Sequence, residues 1–233
     1  MAADAALADR AADAARSAGA GPGDAGSAGR AAERPISDTF VGGMAAVPAH
    51  PDARTIGVAV PVPEPFGSWL QARRASYGDP LAGAIPTHIT LLPPTEVDAA
   101  ALGVIDAHLR GIARGERPFV IRLRGTGTFR PVSPVVFVTV AEGIGGCEHL
   151  QARVSSGPLE RPLAFPYHPH VTIAHHLPDE VMDRAFKDLA GFRADFDVWG
   201  FSLYQHGRDG VWRPQRDYVF GDASIGREGP DWP

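Results

Sequence analysis

Apolar residues occupy every second position along residues 55–62, which predicts a β-strand with one buried face. From residue 95 to about residue 113 the apolar period changes to three or four. This predicts a helix that residues 95–98 cap at its N-terminus. The apolar face of this helix consists of Leu102, Ile105, Leu109 and Ile112. The other elements predicted in this half are a helix at 64–76 and strands at 87–91, 119–123 and 134–140.

The second half of the chain repeats this order of elements. The strand at 134–140 leads it, and the elements predicted after that strand are a helix at 148–155, a strand at 169–173 and a helix at 179–189. A hairpin is predicted to close the half, with strands at 196–205 and 211–220 around a turn at 207–210. The predicted strands at 87–91 and 169–173 are thus each followed by proline, helix, strand, turn and strand. This repetition indicates two related lobes.

Both ends of the chain are predicted to be tails. Residues 1–53 are rich in Ala, Gly, Asp and Ser, and the run at 19–23 would break a helix, so we expect a disordered tail there. Met44 is an alternative to Met1 as the true start. We expect residues 222–233 to form a second tail. A single two-lobed domain is then predicted over residues 54–221.

Composition excludes several classes of protein. The net charge of −5 argues against a protein that coats nucleic acid through bulk positive charge. The single cysteine, Cys147, excludes an intramolecular disulfide and a cysteine-rich zinc module. The single lysine, Lys187, excludes a Gly-Lys-Ser/Thr phosphate loop and disfavours lysine nucleophiles. No run approaches the roughly 20 apolar residues of a membrane span, so we expect a cytoplasmic protein. We also expect this protein to be a monomer.

Two short segments carry the same pattern. They are His88-Ile89-Thr90-Leu91 and His170-Val171-Thr172-Ile173, one in each half. Because side chains alternate between the faces of a strand, each segment presents a histidine and a threonine on one face and two aliphatic residues on the other. Two such pairs facing one cleft would supply two proton-transfer groups and two hydrogen-bond donors. An in-line attack on a phosphodiester requires this set of groups.

On this duplicated motif the chain resembles the 2H phosphoesterase superfamily, and within it the 2′-5′ RNA ligase-like branch. The order strand, helix, motif in each half supports the resemblance, as does the Gly-Thr-Phe-Arg-Pro segment at 127–131. The resemblance covers roughly residues 54–221. It implies a bilobal α+β fold with two small antiparallel sheets, related by a pseudo-twofold axis, around a central cleft.

The resemblance also implies an activity and its residues. Members of this family typically act, without a metal or other cofactor, on 2′,3′-cyclic phosphates or 2′-5′ phosphodiesters of RNA ends or small nucleotides. Run in reverse, such a site would perform RNA ligation. The family's catalytic positions correspond to His88, Thr90, His170 and Thr172. One imidazole would act as general base and the other as general acid, while the threonines bind the non-bridging oxygens. The sequence does not assign which histidine is the acid.

Further contacts with substrate are predicted at four positions. Arg130 stands where the family often places a cleft-facing residue, so it is a candidate for phosphate binding, with a plain surface arginine as the alternative. Tyr167 and His168 directly precede the second motif and are candidate substrate contacts. Trp212, in the closing hairpin, is a candidate for stacking on a base. We expect Trp199 to be a core residue.

Two other functions stay open at this point. A metal site is one, since His168, His170, His175 and His176 cluster in sequence and imidazoles are common ligands. Strict alternation would, however, place His175 on the strand face opposite His170, and no acidic residue stands at a familiar ligand spacing. The other is a non-catalytic RNA- or nucleotide-binding module that uses the same cleft. Paired imidazoles argue against it, because binding alone does not need them.

Overall fold

The structure, a computed structural model, describes residues 52–163 and 165–221. Within these ranges it contains eight strands and four α-helices. The strands are β1 (Ala53–Pro61), β2 (His88–Asp98), β3 (Phe119–Thr128), β4 (Val135–Glu142), β5 (His170–His175), β6 (Arg193–Val198), β7 (Gly200–His206) and β8 (Trp212–Val219). The helices are α1 (Phe66–Ser76), α2 (Leu102–Gly115), α3 (Ile144–Val154) and α4 (Asp179–Asp188).

The predicted tails lie almost entirely outside the described ranges. Residues 1–51 and 222–233, with the alternative start at Met44, are not among the described residues. Ala53 was predicted to belong to the tail, but it begins β1 and is buried, so the folded part extends at least to this residue. Within the described ranges no helix combines the length and the apolar composition needed to cross a membrane.

The strands form two four-stranded sheets, and every pairing within them is antiparallel. The first sheet has the order β2-β1-β7-β8 and the second has the order β5-β4-β3-β6. Each sheet therefore carries one of the two motif strands, β2 or β5, at an edge. This confirms the predicted α+β fold with two antiparallel sheets.

The hairpin that follows each motif strand belongs to the sheet of the other motif strand. The hairpin β3–β4 follows the first motif strand but belongs to the second sheet, and the hairpin β7–β8 follows the second motif strand but belongs to the first. The predicted single strand at 196–205 is consequently wrong, because the chain leaves the second sheet after Val198 and enters the first at Gly200. A Cβ on Gly200 would lie 2.3 Å from the carbonyl oxygen of Tyr218, so glycine permits the close start of β7 against β8.

Trp199 occupies the crossing point between these two strands. We expected it to be a core residue, but 62% of its surface is exposed. The neighbouring Phe201, one residue into β7, is 1% exposed. Because the strand is interrupted at Trp199, its side chain does not follow the alternation that buries Phe201.

The start of α2 also differs from the prediction. Residues 95–98 continue β2 and pair with residues 53–56 of β1, so they cannot form the predicted cap. Asp98 alone acts as a cap, since its Oδ1 accepts a hydrogen bond of 2.8 Å from the amide of Ala100 in the short 3₁₀ turn before α2. The predicted apolar face is nevertheless correct, and its residues Leu102, Ile105, Leu109 and Ile112 are all buried.

The motif strands are anchored from behind by one core. The aliphatic residues of both motifs are at most 1% exposed; they are Ile89, Leu91, Val171 and Ile173. They belong to the same hydrophobic cluster as the buried face of α2. Both motif strands are therefore held by side chains that pack into a shared interior, as the alternation predicted.

Leu109→Ala is expected to destabilise the protein by about 2–5 kcal/mol, because it removes a fully buried side chain from this core. Val104→Ala, on the 63%-exposed side of the same helix, is the matched control and should change stability by no more than about 0.5 kcal/mol. Urea unfolding followed by circular dichroism measures both. Equal losses in the two variants would contradict the assigned helix face.

Candidate active site

The first motif lies on the edge strand β2. His88 is 9% exposed, Thr90 is half-buried, and the intervening Ile89 is fully buried. The register of β2 against β1 pairs His88 with Pro61 and Thr90 with Ala59. The second motif repeats this pattern on β5, where His170 and Thr172 are half-buried and Val171 is fully buried. Each pair shares the face that the sequence predicted.

The two imidazoles are oriented by the same hydrogen bond. Nδ1 of His88 lies 2.6 Å from the carbonyl oxygen of Pro86, and Nδ1 of His170 lies 2.7 Å from the carbonyl oxygen of His168. Because a carbonyl oxygen only accepts hydrogen bonds, each Nδ1 must carry a proton. Nε2 is then the nitrogen with which each ring could exchange a proton with a substrate.

The structure brings the two motifs together. The strands β2 and β5 contact each other although they belong to different sheets. The hydroxyl of Tyr167 donates a hydrogen bond of 2.8 Å to the carbonyl oxygen of Thr90, which joins the segment before β5 to the middle of β2. The two histidines are also close enough for a proton on His170 to lower the pKa of His88.

Both imidazoles favour the neutral form. Burial is the main cause that lowers the pKa of His88 to about 4, and the charge of Arg74 adds to this effect. Burial likewise lowers the pKa of His170 to about 4, with a smaller contribution from His168. The backbone hydrogen bonds at Nδ1 oppose these shifts but do not cancel them. At neutral pH each ring is therefore able to accept a proton.

Two phenylalanines that the sequence analysis missed surround His170. The ring centroid of Phe129 lies 5.0 Å from that of His170 in an edge-on arrangement, and the centroid of Phe137 lies 5.1 Å away. Gly127 allows this packing, because a Cβ there would lie 2.5 Å from the Phe137 ring. Phe129 could have been found from the sequence, because it lies in the Gly-Thr-Phe-Arg-Pro segment that supports the family resemblance. Phe137 could not, because nothing distinguishes it from the other residues of its apolar strand.

A buried ion pair that the sequence analysis also missed stands near His88. Nε of Arg74, in α1, lies 2.7 Å from Oδ2 of Asp79, and the two side chains are 5% and 1% exposed. One of its two terminal nitrogens, Nη2, is buried without a hydrogen-bond partner among the described residues. The sequence offers no signal for this pair, because an arginine in a polar helix is usually solvated.

Arg130 is held by acidic residues of α4. Its Nη2 lies 2.6 Å from Oδ1 of Asp183 and its Nη1 lies 3.3 Å from Oδ1 of Asp179. These carboxylates raise the pKa of Arg130, so the guanidinium stays charged. Phosphate binding by Arg130 stays a prediction, and a phosphate would have to compete with both carboxylates.

The other predicted contacts lie in different surroundings. His168 is exposed, and its ring stacks at 6.3 Å from the His170 ring, so it is available beside the second motif. Trp212 is 6% exposed and packs in a small cluster with Ala59, Ile85 and Tyr204. Its predicted stacking on a base is untested, and this burial disfavours it.

The histidines considered as metal ligands do not form a common site. The ring of His175 packs 4.1 Å from that of His176 and is buried, while the rings of His168 and His170 form a separate pair. A bulge in the β4–β5 pairing interrupts strict alternation along β5. The strand face of His175 therefore cannot be inferred by counting residues from His170. Among residues 52–163 and 165–221 no group of three or more histidine, cysteine or acidic side chains is arranged to hold a metal ion.

Comparison with known proteins agrees with this arrangement. A sequence model of the 2′-5′ RNA ligase superfamily matches residues 62–210, more than half of the chain. The "Putative phosphoesterase BH1439" of Halalkalibacterium halodurans is 32% identical over 128 residues, which cover 54% of this chain and 74% of that protein. A "Putative phosphoesterase" of Bacillus pumilus is 27% identical over 146 residues, covering 62% of this chain and 85% of that protein.

Solved structures share the fold. E. coli LigT complexed with NADP+ aligns with a TM-score of 0.52 and 20% identity, covering 73% of this chain and 99% of that one. LigT complexed with 3′-AMP aligns with a TM-score of 0.51 and 23% identity, covering 72% of this chain and 99% of that one. The chain therefore belongs to the 2′-5′ RNA ligase superfamily of 2H phosphoesterases.

Proposed function

We propose that this protein is a metal-independent phosphodiesterase for 2′,3′-cyclic phosphates or 2′-5′ phosphodiesters of RNA ends or small nucleotides. The observation that carries the proposal is the pair of motif histidines on contacting edge strands, with both Nδ1 atoms bound to backbone carbonyls. Two rings fixed in this way offer two Nε2 atoms for proton transfer. Membership in a phosphoesterase superfamily supports this chemistry.

The reaction needs one proton acceptor and one proton donor. One Nε2 takes a proton from the attacking water as its oxygen bonds to phosphorus. The other Nε2 gives a proton to the ribose oxygen as its bond to phosphorus breaks on the opposite side. The hydroxyls of Thr90 and Thr172 donate hydrogen bonds to the non-bridging oxygens, where negative charge grows. When the hydroxyl of a second ribose attacks in place of water, its 5′ oxygen bonds to phosphorus as the bond from phosphorus to the 3′ oxygen of the cyclic phosphate breaks, which is 2′-5′ ligation.

Acid catalysis requires one protonated histidine, and the negative charge of the bound substrate favours this protonation. In the absence of ligand both rings favour the neutral form, because burial lowers the pKa of each to about 4. A neutral ring can serve as the base, but the acid must first gain a proton. The negative charge of a bound phosphodiester favours the imidazolium form and raises the pKa of the ring next to it. Which histidine gains this proton stays open.

Two observations support a nucleotide as the ligand of this site. LigT, which shares the fold, has been crystallised with 3′-AMP and with NADP+. In this chain the exposed ring of His168 lies beside His170, and Phe129 is half-buried against both rings. We propose that His168 contacts the nucleoside part of the substrate, whereas the motif residues contact the phosphate.

His88→Ala and His170→Ala are each expected to lower kcat by about 100- to 10,000-fold, because each removes one proton-transfer group. The assay follows hydrolysis of nucleoside 2′,3′-cyclic phosphates in the presence of EDTA, and chromatography identifies the product isomer. His149→Ala is the matched control, since this histidine lies on α3 with a side chain that is 61% exposed. Loss of native activity with EDTA would contradict the metal-independent mechanism. Nucleotide binding without turnover by the native protein would favour a non-catalytic module.

Thr90→Val and Thr172→Val are each expected to lower kcat by about 100-fold or more, because valine keeps the branched shape but cannot donate a hydrogen bond to the phosphate oxygens. Thr126→Val is the control, as this hydroxyl donates to the carbonyl of Phe186 instead. Steady-state kinetics on the same substrates measure the effect. A change confined to KM would show that the hydroxyls bind the ground state and the transition state equally, which would contradict their proposed role in the chemical step.

Inorganic phosphate is expected to raise the pKa of at least one motif histidine from about 4 toward neutrality. Without phosphate both rings should therefore stay neutral down to about pH 5, and with phosphate one of them should be protonated at that pH. NMR titration of the imidazole signals, assigned with the two alanine variants, measures both states. Two unshifted pKa values at saturating phosphate would contradict the proposed source of the acid.

A further inference from the structure

The separation of the two motif histidines is not set by strand pairing. In the described part of the chain β2 pairs only with β1 and β5 pairs only with β4, so no backbone ladder joins the motif strands. Each is the edge of its own sheet. The distance between the imidazoles therefore depends on side chains that cross from one lobe to the other.

Tyr167 makes such a crossing at the motifs themselves. Its ring is half-buried against the main hydrophobic cluster, and its hydroxyl donates to the carbonyl oxygen of Thr90 at 2.8 Å. Thr90 carries one of the two motif hydroxyls. This hydrogen bond between the lobes therefore ends on a motif residue.

The same short segment also orients His170. Tyr167 is followed directly by His168, whose carbonyl oxygen accepts the hydrogen bond from Nδ1 of His170. The Tyr167 hydroxyl and the His170 ring thus belong to one four-residue segment, residues 167–170. A shift of this segment would move the backbone of one motif relative to the imidazole of the other.

The hydroxyl of Tyr167 is engaged as a donor. Burial raises the pKa of Tyr167, and the nearby α3 residues Cys147 and Glu148 act in the same direction, so the phenol keeps its proton. The hydrogen bond to Thr90 occupies that proton. Donation from this hydroxyl to a substrate would require the bond to Thr90 to break.

We propose that Tyr167 is a positioning residue that sets the spacing of the two motif histidines across the lobe interface. The proposal rests on the function proposed above, because it assigns Tyr167 no contact with the reacting atoms. It replaces the candidate role of this residue as a substrate contact with a role in aligning His88 and His170 on one phosphorus atom.

The chain offers a matched control in Tyr77. Its hydroxyl also donates across the lobes, from the end of α1 to Oδ2 of Asp188 in α4 at 3.3 Å, but this hydrogen bond does not end on a motif residue. Tyr167→Phe and Tyr77→Phe remove the same atom. Any general effect of losing one hydroxyl between the lobes appears in both variants, whereas misalignment of the motifs appears in Tyr167→Phe alone.

Tyr167→Phe is expected to lower kcat on a nucleoside 2′,3′-cyclic phosphate by about 10- to 100-fold with KM within about twofold, because small displacements of catalytic groups are costly. Tyr77→Phe should keep native kcat and KM. Thermal unfolding verifies that both variants fold. A native kcat in Tyr167→Phe, or a raised KM with unchanged kcat, overturns the proposal; the second result would mark a substrate contact.

An NMR measurement separates this proposal from the proposed function. The imidazole signals of His88 and His170 should shift in Tyr167→Phe and stay unchanged in Tyr77→Phe, in the absence of any substrate. If the native protein shows no turnover, the proposed function fails, and these signals still decide whether Tyr167 positions the rings. Unchanged signals in Tyr167→Phe overturn the positioning role whatever the activity is.

Discussion

The site depends on a contact between two unpaired strand edges. The motif strands β2 and β5 close different sheets, and each turns one imidazole and one hydroxyl toward the face they share. Edge strands usually present unpaired backbone groups and invite unwanted pairing. Here the two edge strands contact each other without pairing. The carbonyl of Thr90, on one of them, accepts the hydroxyl of Tyr167 instead of a neighbouring strand.

Rigidity at this contact comes from both faces of each motif strand. The aliphatic residues behind the motifs are buried in one interior, and the imidazoles in front are tied to the backbone two residues earlier. The rings consequently need little reorganisation when a phosphate arrives, which is the condition under which hydrogen-bond donors and proton-transfer groups are most effective. The cost is burial of two titratable groups. In the proposed reaction, protonation of one ring then depends on the negative charge of the substrate.

Local periodicity correctly predicted the parts of the fold that depend on residues close together in sequence. The buried face of α2, the alternation within both motifs and the turn before β8 follow from spacing alone. The prediction failed where distant pairing decided the outcome. Residues 95–98 resemble a helix cap, but their pairing with β1 keeps them extended, and the strand predicted at 196–205 is divided between two sheets.

The same limit applies to the candidate site. The histidines and threonines could be named because the pattern is repeated, and Tyr167 was singled out by its place in the chain. The partner of its hydroxyl, Thr90, lies in the other half, so the sequence could not supply it. The Arg74–Asp79 pair and the ring of Phe137 were missed because they become recognisable only when the helix and the sheets are packed.

The exchange of hairpins between the sheets has a consequence for how the chain acquires its structure. β1, near the start of the described chain, lies between β2 and β7, and β7 follows almost all of the other elements. A nascent polypeptide emerging from the ribosome could build the second sheet up to β5 while the first still lacked half of its strands. Folding of the first sheet must therefore wait for the last hairpin. Long-range closure of this kind slows folding, because distant parts of the chain must meet before the first sheet is complete.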